Sequence, residues 1–524
     1  MKNNCFPSFL LAGGLLIGAM SAQAQDRVVK LTTGKAVGES ITLQVNHTYT
    51  GVAVDWGDGN AVAYNTGHDA IREITGEVKG SQIVITGDKR WNMLNCSGCG
   101  LTAIDLSGAT ELTSLFLSNN SLTTLSLKGM TALTDLDASN NQLTSIVYTN
   151  PTYPENDLAA IENINLSNNQ LTGTFNIRTA VLRTIDVSNN QFTRVRVTNN
   201  PELDYLNFAN NKANATLSIP TGSPITTLVC NNNSLPSITL SGVTNLQQLV
   251  IDNNNISSTF DLADCANLSD VSLANNKIST LYLPNTKLSS LNIAGNKLTL
   301  GALPLKANAP AGGRIAFMPQ DYFDISGAEN MLKEGGVPYV PVVTYDERTT
   351  NMLDLSAYRY IGATAESDGS LDAAASVYKI DAQGNYIELT KAASASQPND
   401  YFVSSGKFSF FTPQPKVVVR FTSNKAYKDL GFYVETSPFA VGVEQITGID
   451  DVASDNAEIV PGVGQITVTT HSESVVQISN ILGQTMYMKV VNGTETISLP
   501  QGIYVVRIEN VNGQEVDVQK VRVS

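Results

Sequence analysis

The sequence predicts a mainly β chain: a solenoid of about ten repeats of 20–22 residues, flanked by small β-sandwich domains. Three observations carry that expectation. The frame L-x-x-L-x-L-x-x-N-x-L, seen in LTSLFLSNNSL (residues 112–122), returns in register between residues 91 and 300. Within each copy the apolar residues alternate with period two, as in Leu115-x-Leu117, which is the spacing of a strand. Outside that stretch, short alternating runs such as VVKLTT, ITLQV, SVYKI and KVVVRFT are punctuated by turn-forming residues.

The ninth position of the frame, the ladder position, is occupied in turn by Cys99, Asn120, Asn141, Asn169, Asn190, Asn211, Asn233, Asn254, Asn276 and Asn296. Successive positions lie 20–22 residues apart except for one interval of 28. One copy cannot bury its own leucines, so the copies must stack, with strands about 4.8 Å apart and a ladder roughly 45 Å long. The long interval holds VYTNPTYPENDLA, residues 147–159, whose Pro and Asn content predicts a surface loop. A carboxamide both donates and accepts, so an inward Asn satisfies backbone groups left unpaired where each coil turns. The asparagines are therefore expected to be structural.

The frame resembles that of leucine-rich repeats, and residues 91–300 resemble the short-repeat, internalin-like class of bacterial leucine-rich-repeat proteins. That resemblance implies recognition or adhesion through the strand face. Cys96 and Cys230 fall on inward Leu positions and Cys99 on the first ladder position, which predicts core packing. A single C-x-x-C with no second pair and no neighbouring His is not a zinc set. Cys230 lies six turns from Cys99, about 29 Å at strand spacing, beyond disulfide reach.

The positions beside the inward leucines define the concave face. Its middle column runs Asn95, Phe116, Asp137, Asn165, Asp186, Asn207, Val229, Val250, Ser272 and Asn292. Acids at 135, 137, 162, 186, 204, 252 and 270 accompany one base, Arg183. The partner-binding residues expected on this face are Phe116, Asp135, Asp137, Asp186, Tyr205, Val229, Val250, Asp252 and Asp270. Their chemistry suits a basic or neutral protein partner on a host or bacterial surface. Small acids and amides also simply keep a sheet soluble, as in a structural component of a cell surface or biofilm matrix without a discrete ligand.

The formal charge of −14 makes nucleic acid and anionic membrane surfaces poor partners. Lys2, the apolar run Phe9–Met20 and Ala22-Gln23-Ala24 predict a signal peptide over residues 1–24. Export to the outer-membrane surface or the medium is expected, with no membrane insertion. The histidines, His47, His68 and His471, sit apart from any acidic or Cys cluster. No G-x-S-x-G, H-E-x-x-H or phosphate-cradling loop is present, so neither an enzyme nor a cofactor or metal site is expected.

Residues 25–90 are expected to form a β cap for the first coil. Their VDWGDGN resembles the WGDG motif of PKD-type domains, and Asp58-Gly59 predicts a tight hairpin. Asp55 and Asp58 suit calcium or the turn itself, the turn being the commoner use. Residues 301–345 predict a C-terminal cap and connector, and 346–440 an immunoglobulin-like sandwich. Residues 441–524, with Gly483, Leu499-Pro500-Gln501-Gly502-Ile503-Tyr504, Lys520 and Arg522, resemble the C-terminal sorting domain of type IX secretion cargo in Bacteroidetes. The resemblance implies sorting roles for Gly483, Gly502, Tyr504 and Lys520, and an outer-membrane translocon as partner.

Overall fold

The computed structural model describes residues 26–47, 51–64, 70–304, 306–310, 314–334, 337–343, 348–349, 352–360, 373–392, 400–423, 427–442, 457–480, 484–510 and 515–523. The predicted signal peptide, His68 and Gly483 lie outside the described residues. The chain divides into two units, Met1–Lys297 with Pro304–Gln320, and Leu298–Leu303 with Asp321–Ser524. Each is described by itself.

The first unit is organised by a 13-stranded sheet. Its parallel part consists of short strands, from Met93–Asn95 and Ser114–Phe116 through Asp135–Asp137 to Ser290–Asn292, in unbroken register. The central residue of each strand is inward and buried, as at Leu115, Ile185, Leu228 and Leu291. Burying one such side chain contributes about 2 kcal/mol. On the return half, parallel strands pair two by two, for example Thr172–Phe175 with Gln191–Val195 and Ser257–Asp261 with Lys277–Tyr282.

The Asn-Asn doublets acquire two separate explanations. The first Asn of each pair lies in the left-handed region, with φ of 53–58° at Asn119, Asn140, Asn168, Asn189, Asn210, Asn232, Asn253 and Asn275. Asn tolerates that conformation better than most residues with a side chain, and Gly98 and Gly295 take the same place before Cys99 and Asn296. The second Asn is the ladder residue.

At the N-terminal end, Ser40–His47 adds antiparallel to Met93–Asn95, and Ala70–Glu77 adds to it in turn. A separate five-stranded sheet draws in Leu101–Gly108 from the first coil, beside Arg27–Thr33. The cap thus shares a sheet with each side of the first turn. The expected tight hairpin at Asp58-Gly59 is instead a wider loop between Val52–Asp55 and Ala61–Tyr64. Asp55 Oδ1 organises it by accepting the amides of Gly57, Asp58 and Gly59 at 2.9, 3.1 and 3.0 Å. Asp58 pairs with Lys79 at 2.7 Å, so both carboxylates already have partners.

At the other end the ladder runs one rung beyond the ten copies. Ile315–Ala316 pairs with Ser290–Asn292, and a bridge joins Asn296 to Gln320. The long-interval loop is tied down by Asp157, which accepts hydrogen bonds from Gly129 (2.7 Å) and from the amide and hydroxyl of Thr149 (2.6 and 2.8 Å).

In the second unit a seven-stranded sheet contains Val337–Val340, Phe439–Val441, Gln414–Ser423, Ala373–Ile380 and Tyr386–Glu388 in that order. A three-stranded sheet of Leu353–Asp354, Lys407–Phe410 and Tyr401–Ser404 supplies Phe408 and Phe410, whose rings meet Phe421 and Phe439 of the larger sheet edge-on. Strand Val337–Val340 comes from the segment expected to be connector, so the sandwich takes in part of it. The tail forms its own five-stranded sheet around Ile466, Val468, Val476, Ile478, Val506 and Ile508.

Candidate functional site

The ladder amides are fully engaged. Asn190 donates to Leu166 O (2.8 Å) of the preceding turn and to Val187 O and Ser188 O (both 3.2 Å) of its own, and accepts the Leu171 amide (2.9 Å). The same set recurs at Asn120, Asn141, Asn169, Asn211, Asn233, Asn254, Asn276 and Asn296. Cys99 Sγ imitates the donor half, toward Thr42 O of the cap strand (3.3 Å) and Ser97 O (3.7 Å). Cys96, Cys99, Cys230 and Cys265 are buried free thiols; a hydrogen bond with Cys96 lowers Cys99, whereas burial raises Cys96 and Cys230 and pushes Cys265 up to about 11. A thiol held protonated is a poor nucleophile.

The outward face of the parallel sheet contains a second, less obvious structural column. The side-chain oxygens of Asn95, Asp137, Asn165, Asp186 and Asn207 accept the amide of the residue two positions later, at 2.9–3.1 Å, and so start each chain reversal. Asp186 also receives Asn207 Nδ2 from the next turn (3.0 Å). Asp135 receives Asn163 Nδ2 (2.8 Å), and Asp270 receives the Ser290 hydroxyl (2.7 Å). Asp252 accepts both the Ser272 hydroxyl and the Ala274 amide, at 2.6–2.8 Å. Arg183, the base among these acids, sits 3.9 Å from Glu162 and 3.8 Å from Glu202.

The acids expected to bind a partner therefore lie on or beside the concave face, half-buried, with hydrogen bonds that fasten one turn to itself or the next. Phe116, Val229 and Val250 occupy the same outward column but have no side-chain acceptor, so they do nothing for the turn. Val229 and Val250 are register partners on adjacent strands. Phe116 and Tyr205 stand four strands apart and are not brought together. Burial and the nearby Asp186 carboxylate push the Tyr205 hydroxyl up from its usual range.

Beside Val250 the concave surface sinks into a depression of about 440 Å³ lined by Asp270, Ser272, Asn292, Arg314 and Ala316. Side-chain size creates it: the column that carries Phe116 at one end carries Ser272, Asn292 and Ala316 at the other. Arg314 and Ala316 lie beyond residue 300, where the leucine–asparagine form of the frame ends. The signal was RIAFMPQ, where Ile315-x-Phe317-x-x-Gln320 repeats the frame with a longer carboxamide. Gln320 Nε2 donates to Ile293 O and Phe317 O, the ladder role.

In the tail, Gly502 and Tyr504 serve the fold. Tyr504 is buried and its hydroxyl donates to Pro500 O at 2.9 Å, while a Cβ on Gly502 would lie 3.3 Å from that ring. The Lys520 side chain lies outside the described residues, and only its backbone, on Glu515–Val523, is placed. Among the described residues no group of three or more His, Cys, Asp or Glu could hold a metal ion, and no helix is long and apolar enough to cross a membrane. His471 is exposed on Gln465–Asn480.

Residues 446–518 match the family model of a domain of unknown function, DUF6383. No curated protein matches the sequence. Similar solved structures include the leucine-rich repeat domain of APL1B, at 20% identity and a TM-score of 0.30, over 44% of this chain and 73% of that one. The functional domain of InlJ from Listeria monocytogenes, which includes a cysteine ladder, is similar at 14% identity and a TM-score of 0.24, over 68% and 92%. YopM from Yersinia enterocolitica is similar at 20% identity and a TM-score of 0.27, over 40% and 51%.

Proposed function

We infer that the chain is an exported recognition protein that binds a protein partner on the concave face of its leucine-rich-repeat coil. One observation carries the reading: the outward column is scaffold wherever it is Asn or Asp, and departs from scaffold at Phe116, Val229 and Val250. Residues that the fold does not need, placed beside a depression with Asp270 and Arg314 on its rim, are where a partner adds most. Val229, Val250 and the depression, more than the acids, supply the contact surface. The acids remain a steering field that favours a basic or neutral partner.

The test is a pull-down with residues 25–440 against host and bacterial surface proteins, comparing wild type with Val229→Lys/Val250→Lys. A partner held by the wild type and lost from the double variant supports the reading; an unchanged set of captured proteins contradicts it. The engagement of every nominated carboxylate within the coil favours a second reading, a structural surface component with no discrete ligand. Saturable binding by wild type separates the two.

The tail, residues 441–524, we take as a type IX sorting domain, supported by its sequence resemblance. Mass spectrometry of both termini tests this: a start at Gln25 and, on surface-fixed protein, loss of the tail from near residue 446. An intact C-terminus on surface-fixed protein would contradict it.

A further inference from the structure

The sandwich of the second unit carries a side-chain cluster that the concave-face reading does not use. Arg420, on Gln414–Ser423, lies between Tyr378 and Tyr433, its guanidinium carbon 4.5 and 4.4 Å from their ring centroids, with Tyr386 at 5.6 Å. Tyr378 and Tyr433 come from strands that flank the arginine's own, and Tyr386 from the strand beyond that of Tyr378. Nε and Nη2 of Arg420 both bind Glu435 Oε1, at 2.7 and 2.6 Å. Nη1 has no hydrogen-bond partner among the described residues. Glu435 Oε2 accepts the Tyr386 hydroxyl at 3.3 Å, and that hydroxyl is bonded in turn to the hydroxyl of Tyr322.

Holding an arginine would account for Tyr378 and Tyr433. It does not account for Tyr322 and Tyr386, which are 41% and 39% exposed, with the Tyr322 hydroxyl bonded to that of Tyr386 and the Tyr386 hydroxyl to the carboxylate. The side chains of Arg420 and Glu435 are only 25% and 11% exposed, so the pair is fixed in position by its surroundings. It is also neutral as a whole, which offers nothing to an ionic ligand. The cluster presents exposed aromatic surface, a guanidinium donor without a partner among the described residues, a carboxylate acceptor and two phenolic hydroxyls in fixed positions.

The neighbouring outward positions are mostly polar, with Ser376 opposite Arg420, Thr422 opposite Tyr433 and Glu388 opposite Tyr378; of the apolar ones, Val418 opposite Tyr378 is fully buried and Ile380 opposite Tyr386 is half-buried. The rings thus do not belong to the wider apolar patch in which protein anchors sit. A ligand matched to this surface is uncharged, with apolar C–H faces and many hydroxyls. We propose that Tyr322, Tyr386, Arg420 and Glu435 form a binding site for a neutral carbohydrate chain. A sugar ring stacks on the exposed tyrosines, and its hydroxyls bond to Glu435 Oε2 and Arg420 Nη1.

Affinity electrophoresis of the full chain tests this, in gels containing β-glucan, α-mannan, galactan or arabinoxylan, with polygalacturonate as the charged contrast. At least one neutral polysaccharide should retard the wild type. Tyr386→Ala and Tyr322→Ala should each weaken that retardation about tenfold. Tyr386→Phe, which keeps the ring and the fold, should weaken it less than Tyr386→Ala. Val229→Lys/Val250→Lys should leave it intact, which separates this site from the concave face. Retardation by none of the four neutral polysaccharides, by polygalacturonate alone, or undiminished in Tyr386→Ala would overturn the proposal.

Discussion

Asn141 Oδ1 accepts the amide of Leu122 at 3.0 Å while its Nδ2 donates to the carbonyl of Leu117 at 2.9 Å. One side chain thereby fastens backbone groups 19 and 24 residues earlier in the chain. It also donates to Ala138 O and Ser139 O of its own turn. Each coil is consequently closed onto its predecessor by a buried amide whose N–H groups are all turned to backbone carbonyls.

Removing one rung should be expensive and local. Asn190→Ala leaves the Leu171 amide and the Leu166 carbonyl without their partner, a loss of about 3 kcal/mol. Asn190→Asp should cost a similar amount, because a carboxylate cannot donate to those carbonyls. Urea unfolding measures the loss. Hydrogen exchange should show faster opening confined to the flanking turns, since each repeat contacts only its neighbours.

The first Asn of a doublet should respond differently. At Asn189, with φ of 54°, Asn189→Gly should be close to neutral and Asn189→Ala should destabilise by about 1 kcal/mol. Equilibrium unfolding of the two variants separates the left-handed turn role from the ladder role.

The sandwich should lose stability in acid through Asp354. Its hydrogen bond with Lys407, 2.8 Å away, and bonds from Ser356 hold the carboxyl down at about 2, against an ordinary 3.8. A depressed carboxylate stabilises the fold fully above its ordinary value and loses that contribution as pH falls toward its folded value. The wild type should therefore weaken between about pH 4 and pH 2, and Asp354→Asn should flatten that part of the profile. Urea midpoints across this range check it.

Much of the coil was legible because its leucine and asparagine spacings are imposed by burial. Leu115, Leu136 and Ile164 can sit in register only if the frame repeats, and the ladder amide is needed wherever the chain turns away from a strand. Gln320 escaped because a longer amide takes the Asn place in the frame, 24 residues after Asn296 where the other short intervals are 20–22. The role of Asp137 and Asp186 in starting each reversal was hidden because an outward acid on a strand has the same sequence pattern whether it serves a turn or a partner. The tyrosines around Arg420 come from strands brought together by the sandwich, so no local spacing joins them.

The division of labour along one outward column is tested most directly by the unfolding free energies of two variants. Asp186→Ala removes the acceptor for the Ser188 amide and the Asn207 side chain, and should cost about 1–2 kcal/mol. Val250→Thr keeps the β-branched shape on the same face and should stay within about 0.5 kcal/mol of wild type. Equal costs, or a larger loss at Val250, would show that Val250 belongs to the scaffold, and would remove the reason for placing recognition there.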